Sequence, residues 1–505
     1  MDAGGTPPAP ALGQKVLGGA VWSVAQTMAS KGFALVAQLV LAGLLADIDY
    51  ALVALTLLVY SLASLGQQIG LGEMLVRQHH RFAREAPATL ALAAGAGIVS
   101  LMITAAAAPI AARVFAAPGL TGLLYVAALS LPLDASAIVP QSKLRVEMRF
   151  RALAILGMVN VLATSVLSVV FAAMQMGAYS LVLPRPIVSL GTCAAAFIVA
   201  RMPVRIQIRP RIWKRYLRNA GYFVATNTCN TFLGQGDYLI MGLFFPKPLL
   251  GAYYFAFNLS TQSLQLIGSN IGMVLLPAFA RIDRDRQRQM AAYEKVGRTI
   301  MLVGVLGCLM QAALAFPLLR VLFGHKWDAA IPVLQILSLG MIFILASGSG
   351  VVMLNAQGRY RLLLIWTAIT TVAFLLAVLG GAVSGSIVGI ALAVSCFYLV
   401  FGPLGVMIPA LPGRFGQAIA LAARISGKPL LAGVIAAVAG VLAGAEMHAM
   451  GVGMMGVYAA AGVAIAAAYL LMLPVVLKQE TMDFTSRVKA LLLSHRWQRI
   501  KEGGA

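Results

Sequence analysis

The chain has 505 residues, of which 60% are apolar and only 11% charged. Soluble globular domains carry about 25% charged residues, so a water-soluble fold is excluded. The 38 Lys and Arg outnumber the 16 Asp and Glu to give a net charge of +22, and where those charges fall decides what they mean.

In chain order, Met1 to Gln14 is rich in Pro and Gly and reads as a disordered tail. It has no basic n-region, and the apolar run behind it is too long for a signal-peptide core. About fourteen apolar spans follow, near residues 17–44, 51–73, 87–110, 119–141, 152–174, 179–200, 216–243, 249–278, 297–319, 330–355, 362–381, 384–409, 429–447 and 452–477. Each meets the length of about 20 residues that a bilayer requires of a helix. A membrane β-barrel would show strands of about ten residues with alternating polarity, and that pattern is missing here.

The short connections between spans alternate between basic and nearly uncharged. Of the 38 Lys and Arg, 32 fall in the N-terminus, the even-numbered loops and the C-terminal tail; Arg113, Lys247, Arg320 and Lys326 fall on the other side, and Lys31 and Arg185 lie inside spans. Lys/Arg excess marks the cytoplasmic side of short loops. Both termini are therefore expected in the cytoplasm, with the charge facing anionic phospholipids and not nucleic acid.

The longest polar connection, Arg201 to Arg218, carries seven basic residues and no acid. It follows span six and precedes span seven, the junction expected between two six-helix lobes at 15–200 and 219–410, with two further helices in 411–477 and a basic amphipathic tail at 478–505. A faint repeat at an offset of about 200 residues supports two parallel halves: Ala37–Gln38 and Ala42–Gly43–Leu44–Leu45 against Gly236–Asp237 and Met241–Gly242–Leu243–Phe244, then Tyr50–Ala51–Leu52 against Gly251–Ala252–Tyr253. Two segments, Arg281 to Arg298 and Phe484 to Ile500, mix basic and apolar residues and read as helices in the head-group plane.

Enzyme signatures are missing. Gly451–Val452–Gly453–Met454–Met455–Gly456 has dinucleotide-fingerprint spacing but no preceding strand, and reads as small-residue helix packing within a span. The five histidines lack metal-ligand spacing, and Cys193, Cys229, Cys308 and Cys396 read as small buried apolar residues. No cofactor and no metal is expected.

Polar residues inside spans carry the functional signal, because a charge at a helix centre costs about 2.5–3.5 kcal/mol on insertion scales. Lys31 lies thirteen residues from the outer end of span one, roughly 20 Å at helical rise, too deep to reach water by extending its side chain. Arg185 sits between Pro184 and Pro186, a sequence that breaks a helix. Asp134 follows Pro132 in span four, and Asp237 lies in the outer third of span seven. Gln26, Asn160 and Asn227 head the neutral polar groups; Asn230, Gln235, Asn258, Gln262, Asn270 and Asn355 are more simply interhelical hydrogen bonders.

Taken in order, several motifs resemble the polysaccharide-transporter (Wzx-type) flippases of the multidrug/oligosaccharidyl-lipid/polysaccharide exporter superfamily. They are Val21–Trp22–Ser23 with Gln26, Asp49–Tyr50, Gly70–Leu71–Gly72, Gly177–Ala178–Tyr179–Ser180–Leu181, Gly236–Asp237–Tyr238, Leu250–Gly251–Ala252–Tyr253, Leu276–Pro277–Ala278–Phe279 and Asn355–Ala356–Gln357–Gly358–Arg359. The most specific runs from Pro317 through Phe323–Gly324–His325–Lys326–Trp327, followed by Ala330 to Leu337. Ala51 departs from the Gly that the family usually carries after the aromatic residue, a change expected to touch a turn. The similarity covers about residues 15–410.

The resemblance implies an all-α polytopic membrane protein with a two-lobed, MATE-like bundle of six plus six helices and two C-terminal helices. It implies an inner-membrane flippase that moves undecaprenyl-diphosphate-linked oligosaccharide units for exopolysaccharide, capsule or lipopolysaccharide synthesis. The prospective partners are the lipid-linked oligosaccharide, anionic phospholipids, a polysaccharide polymerase and a chain-length regulator. Lys31, Arg185, Gln26, Asn160 and Asn227 are the candidate substrate contacts, and Asp237 and Asp134 the candidate coupling carboxylates. The alternatives are a drug/cation antiporter or peptidoglycan-precursor flippase of the same superfamily, a membrane polysaccharide polymerase or ligase, and a non-catalytic scaffold. The short, weakly charged outer loops speak against the polymerase, and a buried Lys31 against the scaffold.

Overall fold

The computed structural model describes residues 28–67, 69–262, 286–345, 347–356, 359–408 and 415–476. Gln26, the Val21–Trp22–Ser23 and Leu276–Pro277–Ala278–Phe279 motifs and the 484–500 segment lie outside them. Among the described residues there is no strand.

The N-terminal half holds α1 (Met28–Leu44), α2 (Asp47–Ser64), α3 (Leu71–Arg77), α4 (Phe82–Val114), α5 (Leu120–Ala128), α6 (Leu131–Val146), α7 (Phe150–Ala173), α8 (Tyr179–Val182) and α9 (Pro184–Val199). The C-terminal half holds α10 (Pro210–Phe244), α11 (247–262), α12 (Arg286–Phe323), α13 (Ala330–Ile344), α14 (Ser347–Ala356), α15 (Tyr360–Ala382), α16 (Ile387–Met407), α17 (Phe415–Ala449) and α18 (Met454–Val476). Ten helical stretches of the described residues are long and apolar enough to cross a membrane, and α1 and α13 are shorter apolar helices.

Four expected spans are interrupted, three of them for a local reason. Span two gives way at Gly70, whose φ of +76° is a left-handed conformation that glycine adopts without a Cβ penalty. Span four divides into α5 and α6 just before Pro132, which cannot donate a backbone bond. Span six divides into α8 and α9 at the Pro184–Arg185–Pro186 sequence, where the break was expected. Span ten divides into α13 and α14 ahead of Ser347.

Other expectations are revised. Residues 210–218 of the expected linker are the first turns of α10. Residues 286–298 do not lie apart in the head-group plane: they continue unbroken into α12, where Tyr293 is fully buried and donates to the Val406 carbonyl at 3.0 Å. Only the second half of the glycine-rich 451–456 sequence lies within a span. Gly451, Val452 and Gly453 form the turn before α18, with Gly451 at φ +75°, and Met454 to Gly456 are the first residues of that helix. Cys193 and Cys308 are buried, but Cys229 is half-buried and Cys396 faces outward. Ala51 lies inside α2, fully buried, and not in a turn.

Within the N-terminal half, α4 packs on α5 and α6, and α9 on α6 and α7; within the C-terminal half, α10 packs on α15, α13 on α16, and α12 on α13, α17 and α18. The main core joins both halves. It runs from Leu41, Tyr50 and Leu55 through Phe115 to Met241, Tyr253, Phe255 and Trp327.

Candidate functional site

The two halves meet along a seam that is tightest at the end opposite the basic loops. In the connection after α12, Lys326 donates to the Ala42 and Gly43 carbonyls at 3.0 Å each, and the Trp327 indole N–H donates to Ala42 at 3.0 Å. These bonds satisfy the last carbonyls of α1, which have no partner in their own helix. Burial pulls the Lys326 ammonium below its usual lysine range, and Asp47 and Asp49 across the seam oppose that shift. Trp327 is 1% exposed and sits edge-on to Tyr50 at 5.4 Å and tilted on Phe255 at 4.4 Å. Gly251 of α11 lies so close to α2 that a Cβ there would overlap the Asp47 carbonyl oxygen.

Deeper along the seam the contacts become polar. Gln262 donates to Gln38 at 2.9 Å, and Gln235 to Ser61 at 3.1 Å. Lys31, Gln38 and Ala42 are spaced by seven and four residues, which puts them on one stripe of α1. Lys31 therefore lies about two turns, roughly 10 Å, beyond Gln38 toward the basic end. It is half-buried.

Two polar clusters face each other across this seam. In the N-terminal half the Arg185 guanidinium lies 4.3 Å from the Tyr60 ring centroid. The Tyr60 hydroxyl donates to Asp134 at 2.8 Å and contacts the Ser130 hydroxyl at 3.0 Å, while Ser189 donates to the other oxygen of Asp134 at 2.6 Å. One Arg185 Nη is buried without a hydrogen-bond partner among the described residues. A buried, unsatisfied charged donor is costly, so this nitrogen is suited to an anionic ligand. In the C-terminal half Asp237 is wholly buried and accepts from the Tyr253 hydroxyl and the Tyr238 backbone N–H, both at 3.0 Å. Tyr254 links the clusters: its ring is 5.3 Å from Tyr238, and it packs against the group of residues that includes Tyr60.

The middle of α10 completes the site. No described side chain from 221 to 235 is buried, although this stretch carries Thr226, Asn227, Thr228, Asn230, Thr231 and Gln235. This polarity accompanies the absence of α10 from the helices apolar enough to cross a membrane. Polar groups at mid-membrane depth persist where they line a cavity or meet a partner. Asn227 belongs to this stretch and is half-buried.

The structure thus brings Arg185 and Asp134 together around Tyr60, sets Asp237 on the facing half, and puts Lys31 and Asn227 on helices that border the seam. Asn160 is half-buried on α7, whose neighbours are α6, α8 and α9, and no described contact joins it to these groups. Tyr60 and Tyr254 were not singled out from the sequence, and Tyr238 and Tyr253 entered only within motifs and not as site residues. Buried tyrosines pass as core until a carboxylate or guanidinium is seen beside them. Glu85 was also missed, although an acid amid Arg77, Arg81 and Arg84 was a signal. It is 3% exposed and accepts from Arg215 at 2.6 Å and from Tyr216 at 3.0 Å.

The sequence pattern of the family described as "Polysaccharide biosynthesis protein" matches residues 40–332. Among characterised proteins, the chain is 27% identical over 373 residues to the succinoglycan biosynthesis transport protein ExoT of Rhizobium meliloti (strain 1021), across 73% of this chain and 74% of that one. It is 22% identical over 385 residues to the lipopolysaccharide biosynthesis protein WzxC of Escherichia coli (strain K12), across 74% and 77%. In fold it is similar to the lipid II flippase MurJ in an inward closed conformation, with a TM-score of 0.72 at 12% identity over 91% of this chain and 99% of that one. It is also similar to an inward-facing multidrug resistance MATE family transporter of the MOP superfamily, at TM-score 0.56 and 14% identity over 79% and 98%.

Proposed function

The chain belongs to the polysaccharide biosynthesis protein family, and from that membership we propose that it is a flippase for lipid-linked oligosaccharide units, working by alternating access of its two halves. The reading places it in a bacterial inner membrane with the basic ends of its helices in the cytoplasm, following the Lys/Arg bias. The two lobes are 15–200 and 219–410, and 411–477 adds two helices. Its relatives are named as transport and biosynthesis proteins, and no catalytic role is assigned to it.

The observation that carries this reading is the polar, unburied middle of α10 below a seam closed by Lys326, Trp327 and Gly251. A polar stretch at mid-helix depth beside a seam closed at one end is what a carrier needs in one of its two states. Arg185 and Lys31 are the groups for the diphosphate or acidic sugars, with Asn227, Asn160 on α7 and Gln26, which lies outside the described residues, as further contacts. Asp237 and Asp134 are the carboxylates for a coupling proton or a balancing charge.

Two variants test this in proteoliposomes with a fluorescent lipid-linked oligosaccharide. Hydrogen bonds to charged groups are worth about 1.5–3 kcal/mol, so Arg185→Gln is expected to slow flipping about tenfold at unchanged thermal stability. Asp237→Asn keeps an acceptor for Tyr253 but cannot take up a proton, and is expected to abolish the response to an imposed pH gradient. Wild-type rates in Arg185→Gln would remove the guanidinium from the mechanism, and an intact gradient response in Asp237→Asn would remove the carboxylate. In cells, deletion of the protein should accumulate lipid-linked units on the cytoplasmic face.

A further inference from the structure

At the basic end, far from the Lys326–Trp327 closure, the first turns of α4 and α10 flank a cavity of about 440 Å³. Arg81, Arg84, Arg209, Arg211 and Arg215 line it, against the single carboxylate of Glu85. Glu85 is already committed to Arg215 and Tyr216. Among the described residues the other four arginines have no acidic partner, and the Arg215 Nε is buried without a hydrogen bond. Arg81 and Arg209 stand at the N-caps of helices of 33 and 35 residues, and neither N-cap side chain bonds the exposed backbone N–H groups. Both helix ends therefore add partial positive charge to the guanidinium groups.

The approach to this cavity sets it at the lipid surface. Val204, Ile206 and Ile208 are 69%, 64% and 73% exposed and alternate with Arg205, Gln207 and Arg209. Gln207 donates its backbone N–H to the Pro87 carbonyl at 3.3 Å, which ties this apolar edge to α4. Exposed isoleucines and valines between basic groups at the ends of membrane helices suit the boundary between acyl chains and head groups.

We propose that this cavity binds the phosphorylated headgroup of a membrane lipid. Guanidinium groups bind phosphate oxygens in paired, charge-assisted bonds, and four of the five are free of a carboxylate. Two lipids share this chemistry: an anionic phospholipid, with one phosphodiester, and a lipid-linked saccharide, with a diphosphate. The site shares no residue with the Arg185 cluster or the Lys326–Trp327 closure, and holds whether or not the chain transports anything.

The test uses the full chain in nanodiscs and reads binding, not flipping. In discs of phosphatidylcholine alone, titrated with radiolabelled inorganic pyrophosphate, the wild type is expected to bind saturably, and Arg84→Gln/Arg209→Gln/Arg211→Gln at least about tenfold more weakly. That variant leaves the Glu85–Arg215 pair in place, and equal unfolding temperatures would show that its fold is kept. In discs containing phosphatidylglycerol, native mass spectrometry would show lipid retained by the wild type and lost from the variant if the phospholipid is a ligand. Either difference supports the site and identifies its lipid. Equal binding of both probes to wild type and variant, or binding of neither, overturns it.

Discussion

Gly251→Val is expected to stop transport and to hold the two halves apart at the weakly basic end. A Cβ at this position would overlap the Asp47 carbonyl oxygen and lie 2.6 Å from its carbon and 3.2 Å from the Asp47 Cα. All three are backbone atoms, so no side-chain rotation relieves the clash. Overpacking costs about 1–3 kcal/mol and occasionally more, and a backbone-to-backbone clash belongs at the top of that range. At 1.4 kcal/mol per decade, about 3 kcal/mol against the closed seam shifts the balance of states about a hundredfold. Membrane-impermeant maleimide labelling of Ala51→Cys reads this directly, because Ala51 is fully buried while the seam is closed. Labelling should be blocked with Gly251 and rapid with Gly251→Val, while Gly191→Val, whose Cβ would meet nothing within 4 Å, should match the wild type. Unchanged labelling and flipping would mean that this contact does not close the seam.

Trp327→Ala is expected to be the most destabilising single truncation at the seam. The indole is 1% exposed, rests on Phe255 and Tyr50, and donates across the halves to Ala42. Truncating a buried Trp costs about 3–5 kcal/mol, because the rings around it cannot fully collapse into the space. Trp327→Phe keeps most of the ring contact and loses the hydrogen bond, a loss of about 1 kcal/mol. Thermal unfolding in detergent should therefore rank wild type, Trp327→Phe and Trp327→Ala in descending order with a wide second gap. A Trp327→Ala protein as stable as Trp327→Phe would assign the seam's stability to the hydrogen bond and not to the packing.

Hydropathy made the helices legible, because the requirement for long apolar runs is written directly into composition. The break at Arg185 was legible too, since proline acts locally on its own chain. The interruption of spans two and ten was not, because both are continuous in hydropathy; span two is broken by the backbone geometry of Gly70. Arg185, Asp134 and Asp237 stood out as charges in apolar surroundings, but nothing in one dimension says that Tyr60 lies between the first two. The partners of Arg185 and Asp134 come from other helices, 55 to 125 residues away along the chain, whereas Asp237 meets Tyr253 only 16 residues on. Tyr293 shows the opposite error: its basic neighbours suggested a surface helix, while its own side chain is in the core.

One further consequence follows from α10, which runs from Pro210 to Phe244 with no proline past its first residue. Proline is the commonest cause of a sharp kink, and α10 is continuous over its 35 residues. Its lower end is clamped at Arg215 to Glu85 of α4, and Asp237 rides near its upper end, 22 residues or about 33 Å away. A continuous helix of that length is a lever: a tilt of roughly a tenth of a radian about the Arg215 clamp carries Asp237 sideways by about 3 Å. That is the length of the Asp237–Tyr253 hydrogen bond. Small angular play at the arginine-lined end is thereby magnified into making or breaking one bond at the other.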